Sequence, residues 1–162
     1  KFRHEKIAAD WYEKAAKQGD RDALYQLGHM SEKGQGISKD MRKAVDYYQS
    51  AVDKGNAKAV LALAGLYARG EGVAKDSNKA ATLYQTLSDR GNGNAQYHLA
   101  MLYYQGAQGE ANQDKAKRWL KQAGQNGYVR AQHTLQWLNA QGSERTSFIE
   151  PLSLGVASAW FK

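Results

Sequence analysis

The stretches QGISKDMRKAVDYYQSAVDKGNA (residues 35–57) and EGVAKDSNKAATLYQTLSDRGNG (71–93) decide the fold, because the second rewrites the first 36 residues later. The interval recurs along the chain. Gly19, Gly55, Gly91 and Gly127 are spaced by 36, as are Ala23, Ala59, Ala95 and Ala131, and Leu27, Leu63, Leu99 and Leu135. Lys43, Lys79 and Lys115 keep the same offset, as do Ala44, Ala80 and Ala116. A fixed period of this length signals an array of stacked repeats.

Each period holds two helical patterns. In DALYQLGHM (22–30), Ala23, Leu27 and Met30 fall at i, i+4 and i+7, one face of a helix, here called helix A. In KAVDYYQSAV (43–52), Ala44, Tyr47, Tyr48 and Ala51 make the matching stripe of helix B. Small residues (Ala23, Gly28, Ala44, Ala51) are expected where the helices approach, with Leu27, Tyr47 and Tyr48 filling the space between. Neither helix can bury its stripe alone.

The punctuation agrees. Gly34, Gly70 and Gly106 follow helix A and the four register glycines follow helix B, where a left-handed cap favours glycine. Asp20, Asn56 and Asn92 stand as N-caps of helix A, and Asp40, Asp76 and Asn112 as N-caps of helix B. GQGISKD and GEGVAKD then read as elbows plugged by Ile37 or Val73. A phosphate loop is not expected, since no strand precedes them and no GKS or GKT follows.

The totals narrow the function. With 162 residues a single domain with a real core is expected, and no cysteine means no disulfide, zinc-cysteine site or thiol nucleophile. No apolar run reaches the roughly 20 residues of a membrane helix. The net charge of +7 is diffuse: cut at the register glycines, successive segments carry +2, 0, +2, +2 and +1. Its densest cluster is Lys115, Lys117, Arg118 and Lys121, without the interleaved aromatic groove that strand binding needs, so nucleic acid is not the expected partner.

The pattern A-x-x-x-L-G/A, then G-x-G-V/I-x-x-D-x-x-K-A, an aromatic pair and A-x-x-x-G resembles the Sel1-like repeat, a relative of the tetratricopeptide repeat. The resemblance covers residues 8–141: a lone helix B (8–19), units starting at Asp20, Asn56 and Asn92, and a final helix A from near Tyr128. It implies an all-α, right-handed superhelical α/α solenoid of about eight helices. The expected organisation is a solenoid over 1–142 (partial unit 1–19; units 20–55, 56–91 and 92–127; partial unit 128–142) and an apolar tail over 143–162. Ser38 and Ala74 stand where family elbows often carry proline, and the third elbow, GAQGEANQD (106–114), loses the Gly-x-Gly-Val order and is expected to be irregular. Family members cross-linked by cysteines and linked to beta-lactams are a poor match for a chain without cysteine.

The resemblance further implies a concave groove, lined by the A helices, that takes a protein or peptide in a non-enzymatic scaffold or adaptor, as in bacterial signalling, envelope or secretion assemblies. A periplasmic or envelope location follows from it more readily than a cytoplasmic one. Groove rows carried over from related repeats are Asp22, Lys58, Asn94 and Arg130; Tyr25, Leu61, Tyr97 and His133; Gln26, Ala62, His98 and Thr134; His29, Gly65, Met101 and Trp137; and Lys33, Arg69, Gln105 and Gln141. The expected partner-binding residues are Arg69, Tyr97, His98, Met101, Tyr104, Arg130, His133 and Trp137, rich in the aromatic, Met and Arg character of interface hot spots. Packing against the next helix is the alternative for Tyr25, Tyr97 and His133. An anionic polysaccharide, met through Arg69, Arg130 and the Lys115–Lys121 helix, is the alternative partner.

Chemistry at a catalytic or metal site is not expected. His4, His29, His98 and His133 are scattered, only His98 and His133 fall on successive A helices, and no carboxylate accompanies them. No cofactor is implied. The tail SFIEPLSLGVASAWFK (147–162) carries Phe148, Ile149, Leu152, Trp160 and Phe161, which cap the open end, dock in a groove of the same or a neighbouring molecule, anchor to a larger partner or touch a membrane. At the other end, the first helix B lacks an A partner. Either Phe2 and Ile7 fold back as a cap, or the chain is cut from a longer array, which Lys1 in place of Met favours.

Overall fold

In the computed structural model, residues 2–107, 109 and 112–143 are described. They form eight helices and no strand. The helices fall into two compact units, Lys1–Asp76 and Ser77–Lys162, where length alone led to the expectation of one.

Unit 1 holds α1 (Phe2–Lys17), α2 (Arg21–Lys33), α3 (Met41–Asp53) and α4 (Ala57–Arg69). Consecutive helices pack on one another: α1 on α2, α2 on α3 and α3 on α4. Its core is Leu27, Tyr48, Leu63 and Leu66, set among alanines that include Ala23, Ala44, Ala51 and Ala59. Burying each large side chain contributes about 1.5–3 kcal/mol, and the alanines let the backbones come close enough for that burial. Tyr47, expected between the helices, is only half-buried, so Leu27 and Tyr48 fill that space. Phe2 and Ile7 do not fold back as a cap, being 69% and 48% exposed.

Unit 2 holds α5 (Ser77–Ser88), α6 (Gly93–Tyr104), α7 (Gln113–Gln125) and α8 (Val129–Ser143). The order of packing repeats, α5 on α6, α6 on α7 and α7 on α8. Tyr84, Tyr97, Leu99, Met101, Leu102 and Leu120 are its largest buried side chains.

Helix ends follow the sequence signals. The Asp20 carboxylate accepts from the Asp22 and Ala23 amides at 2.9 and 2.8 Å, and Asp40 accepts from Arg42 and Lys43 at 3.0 and 3.1 Å. Asn56, Asn92 and Asn112 each cap the amide three residues on, at 2.9, 2.9 and 2.8 Å. The B helices close on the register glycines in Schellman motifs. After α3, Gly55 N donates to Val52 O at 2.8 Å and Asn56 N to Ala51 O at 2.9 Å, and the same pair of bonds recurs at Gly19, Gly91 and Gly127.

The elbows explain the second glycine of G-x-G. Gly36 and Gly72 both have φ +70°, and a Cβ on either would overlap a main-chain carbonyl of the preceding B helix, Glu5 for Gly36 and Met41 for Gly72. Position 36 therefore needs glycine for its conformation and for the approach of a neighbouring backbone. Each elbow then ends on the same tie, Asp40 N to Ser31 O and Asp76 N to Tyr67 O, both 2.9 Å. The third elbow keeps this tie, Asn112 N to Tyr103 O at 3.0 Å, but starts differently, since α6 is capped by Gln105 at φ −83° and Gly106 follows at φ +96°.

Candidate functional site

Two A-helix surfaces carry the residues expected to bind a partner, one in each unit. In unit 1, Tyr25, Gln26 and His29 stand half-buried along α2, and Leu61, Ala62 and Arg69 along α4. The two helices are tied at their starts by Asn56, whose amide group caps α4 and donates to Asp22 Oδ1 at 2.8 Å. Tyr25 packs against Tyr48, ring centroids 5.8 Å apart, so half of it belongs to the core. Arg69 lies at the end of α4 with its Nε 3.1 Å from Glu71 Oε1, which offsets its charge.

In unit 2 the face of α6 and α8 brings several expected residues together. Tyr97 lies 5.3 Å from the His98 ring and 5.1 Å from Tyr128, the residue that leads into α8. The guanidinium of Arg130 sits 5.9 Å over Tyr97, within cation–π range. Arg130, His133 and Trp137 fall at i, i+3 and i+7 of α8, on one exposed stripe. Trp137 is 36% exposed, enough to leave an indole edge for a partner. His98 is half-buried between the rings of Tyr84 and Tyr97, at 5.4 and 5.3 Å. Tyr104, also half-buried, closes α6.

Two of the expected contact residues lie inside: Tyr97 and Met101 are fully buried within unit 2, where they support the surface. The reason is packing between successive A helices, since Tyr128 and Arg130 cover the ring of Tyr97. The Tyr97 hydroxyl is buried with no hydrogen bond of good geometry among the described residues. Burial pushes its pKa up, while Thr134 and Arg130 pull it down.

Side-chain amides lace this unit in a way periodicity does not reveal. Gln96, only 2% exposed, donates to Ser88 O at 3.0 Å and accepts from Asn126 Nδ2 at 2.9 Å, while Gln132 donates to Gly124 O at 3.1 Å. These bonds fix the spacing of α5, α6, α7 and α8, and so the position of the α8 stripe. The only signal in the sequence is polar residues within apolar stretches.

Of the basic cluster on α7, Lys115 is already engaged, its ammonium 4.0 Å over the Tyr103 ring. Among the described residues no three His, Asp or Glu side chains gather as metal ligands, and no helix is long and apolar enough to cross a membrane. Phe148, Ile149, Leu152, Trp160 and Phe161, the tail expected to cap or dock, lie outside the described residues.

The Sel1 repeat matches residues 4–20, 21–56, 57–92 and 93–128. Among solved structures, a Sel1 repeat protein from Oxalobacter formigenes is similar at 31% identity and a TM-score of 0.80, covering 96% of this chain and 62% of its own. A protective antigen of uropathogenic Escherichia coli strains with an SLR fold is similar at 27% identity and a TM-score of 0.77, covering 96% of this chain and 32% of its own. The chain thus spans less than two thirds of the length of either. No curated protein sequence matches it. The helices and their period make an all-α solenoid of the Sel1 kind. Proteins of this kind serve in general as protein-interaction scaffolds, have protein partners and are typically non-catalytic. With Sel1 repeats across most of its length, the chain belongs to the Sel1 repeat family.

Proposed function

We propose that this protein is a non-enzymatic scaffold that holds a segment of a partner protein against its A-helix faces, above all the α6–α8 face of unit 2. One observation carries the reading: Arg130, His133 and Trp137 form an exposed stripe on a helix whose inner face is fixed by Tyr97, Tyr128 and the Gln96–Asn126 bond. An aromatic and an Arg on a rigid support are the side chains that give interfaces most of their binding energy. Repeat arrays keep packing columns constant and vary the columns that bind, and these rows vary in that way. The two similar structures come from bacteria, which supports a bacterial signalling, envelope or secretion setting.

The alternative of an anionic polysaccharide is less well supported, because Arg69 is paired with Glu71 and Lys115 lies on Tyr103. The test is affinity capture from the source organism's extract, with the native chain and with His133→Ala plus Trp137→Ala. Both residues are exposed, so helicity and melting temperature should stay unchanged. A protein retained by the native chain and lost by the variant supports the reading. Equal retention by both would overturn it.

A further inference from the structure

A second surface emerges on the elbow edge of unit 1. Between α1 and the first elbow lies a cleft of about 530 Å³, with Phe2 and Ile37 as apolar lining and Lys6, Lys33 and Lys39 around it. Among the described residues no carboxylate lines it. The three lysines recur in register. Thirty-six residues on stand Arg42, Arg69 and Lys75, beside Val73 in the place of Ile37.

The two elbows are built alike, so the backbone positions that carry the two cation sets correspond. Gly36 abuts the backbone of Glu5 and Lys6, and Gly72 abuts Met41, in the corresponding position of the next B helix. Gly34 and Gly70, the left-handed caps of α2 and α4, lie under the Cβ atoms of Lys39 and Lys75. The second elbow packs directly on the end of the first, because Met41 opens α3 immediately after Asp40. The third elbow has Asn78, Gln105 and Ala111 at these three positions, so the 36-residue fold does not itself require the cations. Against six cations, the carboxylates seen in ion pairs with them are Glu32, 3.5 Å from Lys33, and Glu71, 3.1 Å from Arg69.

We propose that this edge of unit 1 binds an acidic segment of a partner protein, its carboxylates meeting Lys6, Lys39, Arg42 and Lys75 beside the already paired Lys33 and Arg69, and an apolar side chain entering the Phe2–Ile37 cleft. Charge complementarity selects an acidic partner. The apolar lining selects a polypeptide over a polysaccharide. An oligonucleotide is disfavoured because Phe2 is the one aromatic in the lining and its register partner is Ser38, which leaves no ladder for stacked bases. The surface is separate from the α6–α8 face of the proposed function, and either reading can fail without the other.

The third elbow supplies the test substitutions. In the full chain, one variant carries Lys6→Asn, Lys33→Gln and Lys39→Ala, and a second carries Arg42→Asn, Arg69→Gln and Lys75→Ala. Each thus receives the residues that the third elbow already carries. A charge-matched control carries Lys115→Gln, Lys117→Gln and Lys121→Gln on α7. Binding is read by fluorescence anisotropy with a labelled peptide of alternating Glu-Glu and Phe, its Gln-Gln counterpart, a sulfated polysaccharide and an oligothymidine. The Glu peptide should bind and the Gln peptide should not. Each elbow variant should weaken the Glu peptide at least tenfold while the α7 control changes it less than twofold, with all melting temperatures compared. The proposal is overturned if the peptide does not bind, if the α7 control loses as much, or if polysaccharide or oligothymidine binds as tightly. It is equally overturned if the elbow variants lower the melting temperature yet leave binding unchanged, since the cations would then serve only the C-terminal dipoles of α2 and α4.

Discussion

Gly28 and Tyr48 are in face-to-backbone contact: a Cβ on Gly28 would stand 2.6 Å from Tyr48 Cδ1 and 2.7 Å from Cε1. The absence of a side chain on α2 is what allows the α3 tyrosine to be almost completely buried, 1% exposed. Gly28→Ala sets a helix-propensity gain of up to about 1 kcal/mol against an overpacking cost of about 1–3 kcal/mol. The melting temperature should fall. Gly65→Ala in α4 is the contrast, because the nearest atoms to its Cβ belong to the far end of a long side chain, Arg69 Nη1 at 3.1 Å. That variant should be neutral or more stable by up to about 1 kcal/mol, as thermal unfolding of both will show.

Tyr48 also donates its hydroxyl proton to Glu32 Oε2 at 2.7 Å. Burial first, and then this bond and the negative charge of Glu32, push its pKa far above the ordinary value near 10. The native state therefore holds the proton more tightly than the unfolded chain. The resulting stability is fully present below about pH 10 and is lost as the pH rises beyond it. Tyr48→Phe should cost about 1–3 kcal/mol at neutral pH and flatten the alkaline fall of the melting temperature between about pH 9 and 11. An alkaline limb as steep in the variant as in the native chain would remove Tyr48 from the explanation.

Ser31 is fully buried and its hydroxyl has no hydrogen-bond partner among the described residues. Ser31→Ala removes that unsatisfied group and improves helix propensity, so stability should rise by about 1 kcal/mol. Chemical denaturation of the variant checks the sign.

Two left-handed glycines separate conformation from close approach. Gly91 (φ +81°) has Asn126 Nδ2 at 4.0 Å as its nearest neighbour, whereas Gly72 (φ +70°) faces the Met41 carbonyl. Gly91→Ala should cost about 1 kcal/mol for its backbone alone, and Gly72→Ala about 3 kcal/mol or more. Similar losses at the two positions would mean that the elbow gives way without resistance.

Much of this fold was legible in the 36-residue register, because glycine caps, Asn and Asp caps and apolar stripes are local signals that each repeat restates. What contacts between repeats decide was not legible. Gly36 and Gly72 were readable as turn residues, but the carbonyls of Glu5 and Met41 that exclude a side chain lie some 31 residues earlier. The burial of Tyr97 and Met101 has the same origin, since one A helix does not reveal how far the next covers it. Exposure of Arg130, His133 and Trp137 follows from their positions on the outer stripe of α8. The paired cations of the elbows were open to reading by register, yet a net charge taken segment by segment averages them away.

The claim that a protein partner is held on the α6–α8 face is most directly tested by photo-crosslinking in the source organism's extract. A benzophenone amino acid is placed at the exposed Gln141, one turn beyond Trp137 on α8, or at the exposed Gln122 of α7 as a control. A discrete crosslinked protein is expected from position 141, abolished by His133→Ala plus Trp137→Ala, and none from position 122. Equal crosslinking from both positions, or a crosslink from 141 that survives the double substitution, would overturn the claim.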